Sequence, residues 1–209
     1  ARRAGRMLDR SVPRLADHAI AIRPETTEKL LGFGCGNVSH VPPGVEPSDF
    51  HGSTPAQVPP GPWVVYAGNP DPYQDLDILM SAMKRLPHVG LIMVSASDMS
   101  AWSGWGLKKF LPIQTGDFEV VRSFLAAADL AVLPRTVCSG FPIKLLNYLG
   151  MGLPIIAAEG AADGMPGLVR VRNRDPADMA LAIQRLLGDK PLAERLGNEG
   201  RRHVLRHCT

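Results

Sequence analysis

From residue 62 onward, two kinds of hydrophobic pattern alternate along the chain. Residues Trp63–Ala67, 89–96, 110–113, Leu130–Leu133, 154–158 and Leu168–Val171 are short runs dominated by apolar side chains, without regular polar alternation. Such runs read as strands of a parallel sheet covered on both faces. Between them lie stretches with apolar residues every three or four positions. In 75–86, Leu76, Leu79, Met80 and Met83 fall on one helical face. Segments 118–128, 142–151, 176–187 and 192–207 complete the helical set. Strand and helix in alternation predict an α/β domain, a doubly wound parallel sheet of Rossmann-like type with right-handed crossovers. Ligands of such sheets bind at the carboxyl ends of the strands. The loops after Ala67, Ala96, Ile113, Leu133 and Ala158 are therefore the candidate positions.

The first 45 residues read differently. A helix over 1–14, a short buried strand over 18–22, a helix over 24–31 and a strand over 38–41 resemble the end of another unit. Pro24 suits a first helical turn. Residues 46–61 are rich in Pro, Gly, Ser and polar residues, the composition of a linker. The expected organisation is a remnant of a second Rossmann-like domain (1–45), an interdomain linker (46–61) and a ligand-binding domain (62–209). The chain opens on Ala1 inside a helical pattern, which suggests an upstream portion. Segment 97–109 holds Trp102 and Trp105 among Ser and Gly. It reads as an irregular loop, either a flap near the ligand or, the preferred reading, two rings covering the sheet edge.

Composition adds mostly exclusions. Of 209 residues, 45% are apolar and 21% charged, ordinary values for a domain with a buried core. The net charge of +3 is too small to argue for nucleic acid. Basic residues gather at 2–14 and 195–206, which we read as solvated helix faces; contact with anionic lipid headgroups is the sharper alternative. Cys35, Cys138 and Cys208 are too scattered for a zinc site or disulfide framework, so a reducing, cytoplasmic compartment is expected. No run reaches the length of a membrane span. The six histidines are scattered and read as structural or exposed. Gly32-Phe33-Gly34-Cys35-Gly36 follows a helix rather than a strand, so it is not a dinucleotide fingerprint.

The segment that carries chemistry is 138–147. It follows a strand and opens a helix. Gly140 lets backbone approach a ligand, and Pro142 suits the first helical turn. The free N–H groups of that turn, the helix dipole and Lys144 together make an anion site, with Asn147 one turn further on. A diphosphate fits it. By spacing alone, a generic strand–helix corner with a solvated lysine explains the segment equally well. Glu159 and Asp163, in or beside the loop 160–164, are possible acids without an adjacent base.

Gly140-Phe141-Pro142-Ile143-Lys144-Leu145-Leu146, followed by Tyr148-Leu149-Gly150-Met151-Gly152-Leu153-Pro154-Ile155-Ile156-Ala157, resembles the donor-binding loop and helix of retaining GT-B glycosyltransferases of family 4. Segments 15–22, 41–45 and 127–134 resemble, in order, that family's last N-terminal strand, interdomain link and strand before the donor loop. In the family, two Glu residues with seven between them bracket the Gly-Phe-Pro turn. Ser139 and Asn147 stand at those two positions here. The family's first turn, here Tyr66 to Asp75, carries Gly-Arg and a Lys five residues after the Arg. Here it carries Gly68-Asn69 and Gln74. Both replacements donate hydrogen bonds without charge, and charge-assisted bonds to phosphate are about twice as strong. Lys144 and Arg135 are the cations placed to compensate.

The resemblance implies transfer of a sugar from a nucleotide-sugar donor, UDP- or GDP-linked, with retention at the anomeric carbon and without cofactor or metal. Gly68, Asn69, Gln74, Arg135, Ser139, Gly140, Phe141, Pro142, Ile143, Lys144 and Asn147 would bind the donor diphosphate, ribose and sugar. No nucleophile is identified. The acceptor, a sugar, lipid or other small molecule, would sit on the domain represented by 1–45, so this chain alone would transfer little. Polysaccharide biosynthesis and peripheral attachment at the inner face of the cytoplasmic membrane belong to the same set of expectations. Two rivals remain: a nucleotide-binding or scaffold domain that lost the chemistry, and a GT-B-type sugar-nucleotide epimerase.

Overall fold

The computed structural model describes residues 2–137, 140–161 and 164–209. It divides into two compact units, one of residues 1–44 with 139–141, the other of residues 45–138 with 142–209.

In the first unit, helix α1 (Arg2–Ser11) runs into a 3₁₀ turn at Val12–Leu15. Strands β1 (Ala19–Ala21) and β2 (Val38–His40) pair in parallel, joined through helix α2 (Pro24–Gly32). Pro24 starts α2, where its missing N–H costs nothing. The strand expected to be buried is so only at Ala21. Ile20 is 67% exposed, because a two-stranded sheet has little cover for its second face.

The second unit is built on a six-stranded, all-parallel sheet. Its strands are β3 (Trp63–Ala67), β4 (Gly90–Ser95), β5 (Phe110–Gln114), β6 (Leu130–Leu133), β7 (Ile155–Ala158) and β8 (Leu168–Val171). Their order is β5-β4-β3-β6-β7-β8, with Val64 opposite both Leu91 and Leu130. The order reverses between β3 and β6, which makes this pair the switch point of a doubly wound sheet. β3, β4, β6 and β7 are buried along their whole length, whereas the edges β5 and β8 are partly open. That is why the central strands are apolar throughout.

Helices α3 (Leu76–Lys84) and α6 (Pro176–Gly188) pack with Val64, Tyr66, Leu91, Met93 and Ile156 into one continuous core. Helices α4 (Phe118–Ala126), α5 (Ile143–Gly150) and α7 (Lys190–His207) complete the unit. Asp117, Asp175 and Asp189 cap α4, α6 and α7 by accepting bonds from first-turn N–H groups. α7 crosses α5 and the following turn through glycine: a Cβ at Gly197 would run into the carbonyl of Gly152, and one at Gly200 into Leu149.

Residues 46–61, a linker by composition, lie strapped to this unit. Phe50 is 4% exposed, and its ring occupies the space a Cβ on Gly150 would take. Arg201 donates to the Phe50 carbonyl at 3.2 Å, and Trp63 Nε1 to that of Pro59 at 2.7 Å. Arg122 also bonds the Asp49 carbonyl. The segment's regular structure is one 3₁₀ turn, Pro47–Phe50, and these carbonyls are left as acceptors. The 97–109 segment contains a 3₁₀ turn, Ser100–Trp105. Trp102 and Trp105 stack at 5.3 Å and pack on the core, so they cover the sheet rather than form a flap. No helix among the described residues is long and apolar enough to cross a membrane.

Candidate functional site

The carboxyl end of β3 is held by two buried phenols. Tyr66 lies in β3 and is fully buried. Its hydroxyl donates to the Asn69 carbonyl at 2.9 Å and accepts from Lys144 Nζ at 2.7 Å. Lys144 Nζ also lies over the Tyr66 ring, 4.3 Å from its centroid. Tyr148, from α5, accepts from the Ala67 N–H at 2.7 Å and donates to the Ala67 carbonyl at 3.2 Å. Burial drives both phenol pKa values up, so both stay protonated donors. Lys144 and Tyr148 are four apart on α5 and therefore share the face that meets β3.

Gly68 is where this crossing is tightest. Its φ is 146°, in the region that favours glycine. A Cβ there would lie 2.5 Å from Lys144 Nζ. Glycine at this turn thus serves the lysine as well as the turn itself.

Beyond Gly68, the chain makes a 3₁₀ turn, Pro72–Gln74, before α3. Gln74 is 3% exposed, and its Oε1 accepts from Lys144 Nζ at 3.1 Å. Asp75 precedes α3 but does not cap it. Its carboxylate instead accepts from the Thr136 N–H and hydroxyl, each at 2.9 Å, and from Arg174 at 3.4 Å. It ties the turn after β3 to the loop after β6, across the switch point.

Lys144 has two neutral oxygens as its hydrogen-bond partners. Among the described residues, no carboxylate lies within ion-pair distance of it. Burial, and after it the nearby Arg135 guanidinium, bring its pKa down to about 7, with Asp71 opposing both. Arg135 itself is buried, just past β6.

A cavity of about 290 Å³ opens here, over the carboxyl ends of β3, β4 and β5. Gly68, Asn69, Ser95, Thr115, Phe118, Lys144, Asn147 and Tyr148 are among its lining residues. Amides, hydroxyls, an amine and an aromatic ring in one lining suit a ligand that combines a flat ring, hydroxyls and an anion. A larger cavity of about 470 Å³, lined by Leu125, Asp129, Pro154 and Glu194 among others, lies at the amino ends of β6 and β7. Doubly wound sheets bind at the opposite ends, so we take the smaller cavity as the site. No group of three or more potential metal ligands occurs among the described residues.

The residues expected from the sequence thus separate. Gly68, Asn69, Lys144 and Asn147 line one cavity; Gln74 joins it through Lys144, and Arg135 through its charge. Pro142 stands one position before α5, at its cap, and is buried. Ile143 is 62% exposed. Gly140 and Phe141 group with the first unit. Ser139 lies outside the described residues, as do Cys138 and Asp163; Glu159 is exposed just past β7. Sequence reasoning missed Tyr66, Asp75, Thr115, Phe118 and Tyr148. Tyr66 and Tyr148 look like core residues in their patterns, and Asp75 like the first residue of the predicted helix 75–86. The one available signal was position: each lies at or near a strand's carboxyl end or on the face of α5 that Lys144 defines.

The family model described as glycosyl transferases group 1 matches residues 61–189. The D-inositol 3-phosphate glycosyltransferase of Salinispora arenicola (strain CNS-205) is 35% identical over 103 residues, 46% of this chain and 22% of that protein. The chain thus spans about a fifth of that curated relative. Among solved structures, sucrose-phosphate synthase from Thermosynechococcus elongatus superposes with a TM-score of 0.84 at 22% identity, over 97% of this chain and 57% of its own. Anabaena Alr3699/HepE, in complex with UDP and glucose, gives 0.71 at 14% identity, over 97% of this chain and 64% of its own. At these identities the structural likeness is one of fold.

Proposed function

The chain belongs to the group 1 glycosyl transferases, and from that premise we propose that residues 62–209 are the donor-binding half of an enzyme that transfers a sugar from a nucleotide sugar. The observation that carries this reading is the convergence of Asn69, Thr115, Lys144 and Asn147 on one cavity at the carboxyl ends of β3, β4 and β5. The Anabaena protein is solved with UDP and glucose, and we assign the same class of ligand to this cavity.

In this reading, the nucleoside lies between Thr115 and Phe118 on one side and Asn147 on the other. The diphosphate faces Lys144, Asn69 and the start of α5, where unpaired N–H groups and the helix dipole favour negative charge. Arg135 adds a second cation. Catalysis is then electrostatic: donors fixed in advance stabilise the charge that grows on the departing nucleoside diphosphate. Transfer with retention, of the family 4 type and without metal, follows from the sequence resemblance. Acceptor binding is assigned to the domain of which residues 1–45 are part.

Calorimetric titration with UDP, GDP and ADP, repeated on Lys144→Ala, tests this reading. We expect one nucleoside diphosphate to bind, at least tenfold more weakly to the variant. If none binds the unaltered chain, the reading falls. The second reading would then lead: a scaffold that kept the fold without the chemistry, favoured by Asn69, Gln74, Ser139 and Asn147 standing where the resembling family has Arg, Lys, Glu and Glu.

A further inference from the structure

Lys144 is an unusual cation for a phosphate site, because its amine is already occupied. Nζ donates to Tyr66 Oη at 2.7 Å and to Gln74 Oε1 at 3.1 Å. Both acceptors are neutral, and both are buried. A neutral amine is well served by such partners. An ammonium in the same place has no counter-ion in contact. The charged groups that bear on it come from two directions: Arg135, beyond β6, repels it, and Asp71, in the turn after β3, attracts it. Tyr148, beside it on α5, is a protonated phenol engaged with Ala67. The other carboxylate in this turn, Asp75, is directed to Thr136 and Arg174 instead.

We propose that Tyr66 and Gln74 park Lys144 as a neutral amine, and that arrival of a diphosphate draws it into the cavity as an ammonium, so that donor capture takes up a proton. This rests on the nucleotide-sugar reading above. The proton balance is simple: a buffer acid gives one proton to Nζ, and the diphosphate supplies the missing counter-ion. Tyr66 acts as a positioning residue, since its hydroxyl sets both the amine and, through the Asn69 carbonyl, the loop that lines the cavity. The depressed pKa of about 7 agrees with this geometry. The functional consequence is a donor site whose affinity falls as the pH rises above neutrality.

Two measurements test it on the full chain. The first needs no ligand. The rate at which an amine-reactive acylating reagent modifies each lysine is followed against pH by mass spectrometry. Lys144 is expected to reach half-reactivity near neutral pH, and in Gln74→Glu, where a carboxylate replaces the neutral acceptor, to move towards the exposed lysines. Titration of Lys144 together with the exposed lysines in the unaltered chain would overturn the proposal. The second is calorimetry with the nucleoside diphosphate that binds, at pH 8 in buffers of different ionisation enthalpy. Uptake of roughly one proton per nucleotide is expected, falling towards zero in Gln74→Glu with at least tenfold weaker binding. Binding without proton uptake would sink this inference and leave the donor-site reading standing. Absence of binding by any nucleoside diphosphate would sink the donor-site reading itself, and the proton-linked capture with it.

Discussion

Asp75 and Arg174, both with left-handed backbone at φ 51° and 57°, are paired with each other, Arg174 Nη1 to Asp75 Oδ1 at 3.4 Å. Among the described residues they are the non-glycine positions with positive φ. Left-handed backbone at a non-glycine residue costs about 1–2 kcal/mol and persists where surroundings over-determine it. Here the Asp75 carboxylate also accepts twice from Thr136. The turn after β3, the loop after β6 and the approach to α6 are thus held by one carboxylate.

That arrangement predicts the behaviour of two substitutions. Asp75→Ala leaves the Thr136 N–H without its acceptor and should destabilise the fold by about 2–3 kcal/mol in urea unfolding. Asp75→Asn tolerates the left-handed backbone and keeps an acceptor, so it should cost about 1 kcal/mol. Equal losses for the two would show that the carboxylate is not what holds the turn.

Lys144 makes stability depend on pH in a stated window. Its folded pKa is depressed to about 7, below the value of 10.5 expected when unfolded. Between those values the unfolded chain binds the proton and the folded chain does not, so stability from this group rises with pH. Below about 7 both states are protonated, and the half-buried charge, with no carboxylate in contact, is a penalty. The stability of the unaltered chain relative to Lys144→Met should therefore climb by on the order of 3 kcal/mol from pH 6 to pH 10. Parallel stability profiles for the two proteins would show that the lysine titrates normally.

Asn147 separates nucleoside from phosphate. It lines the cavity one helical turn from Lys144. If it meets the ribose, Asn147→Ala should weaken a nucleoside diphosphate by about fivefold, roughly 1 kcal/mol, and leave pyrophosphate binding unchanged. An equal loss for both ligands would place Asn147 at the phosphates instead.

Gly197 tests packing far from the site. A Cβ there meets the Gly152 carbonyl, which is backbone and cannot swing aside. Gly197→Ala should cost about 1–3 kcal/mol, seen as a fall of several degrees in Tm, with the cavity's affinity for nucleotide little changed.

The sequence by itself determined the sheet domain, because apolar runs without alternation leave a two-faced, covered parallel sheet as the reasonable solution. It also located the loops that carry Gly68, Asn69, Lys144 and Asn147, since strand ends follow from strand positions. What it could not determine was who meets whom. Tyr66 sits in a run of apolar neighbours and reads as core, yet its hydroxyl receives a lysine 78 positions away. Asp75 reads as the first residue of a helix, yet its carboxylate serves Thr136, 61 positions away. Residues 46–61 read as a linker, yet Phe50 is buried and Arg201 reaches its carbonyl. Periodicity records which face of an element is apolar. Hydrogen bonds between distant segments, and the pKa of an amine enclosed by them, depend on the order β5-β4-β3-β6-β7-β8, which brings the ends of β3 and β6 together and exists only once the chain has folded.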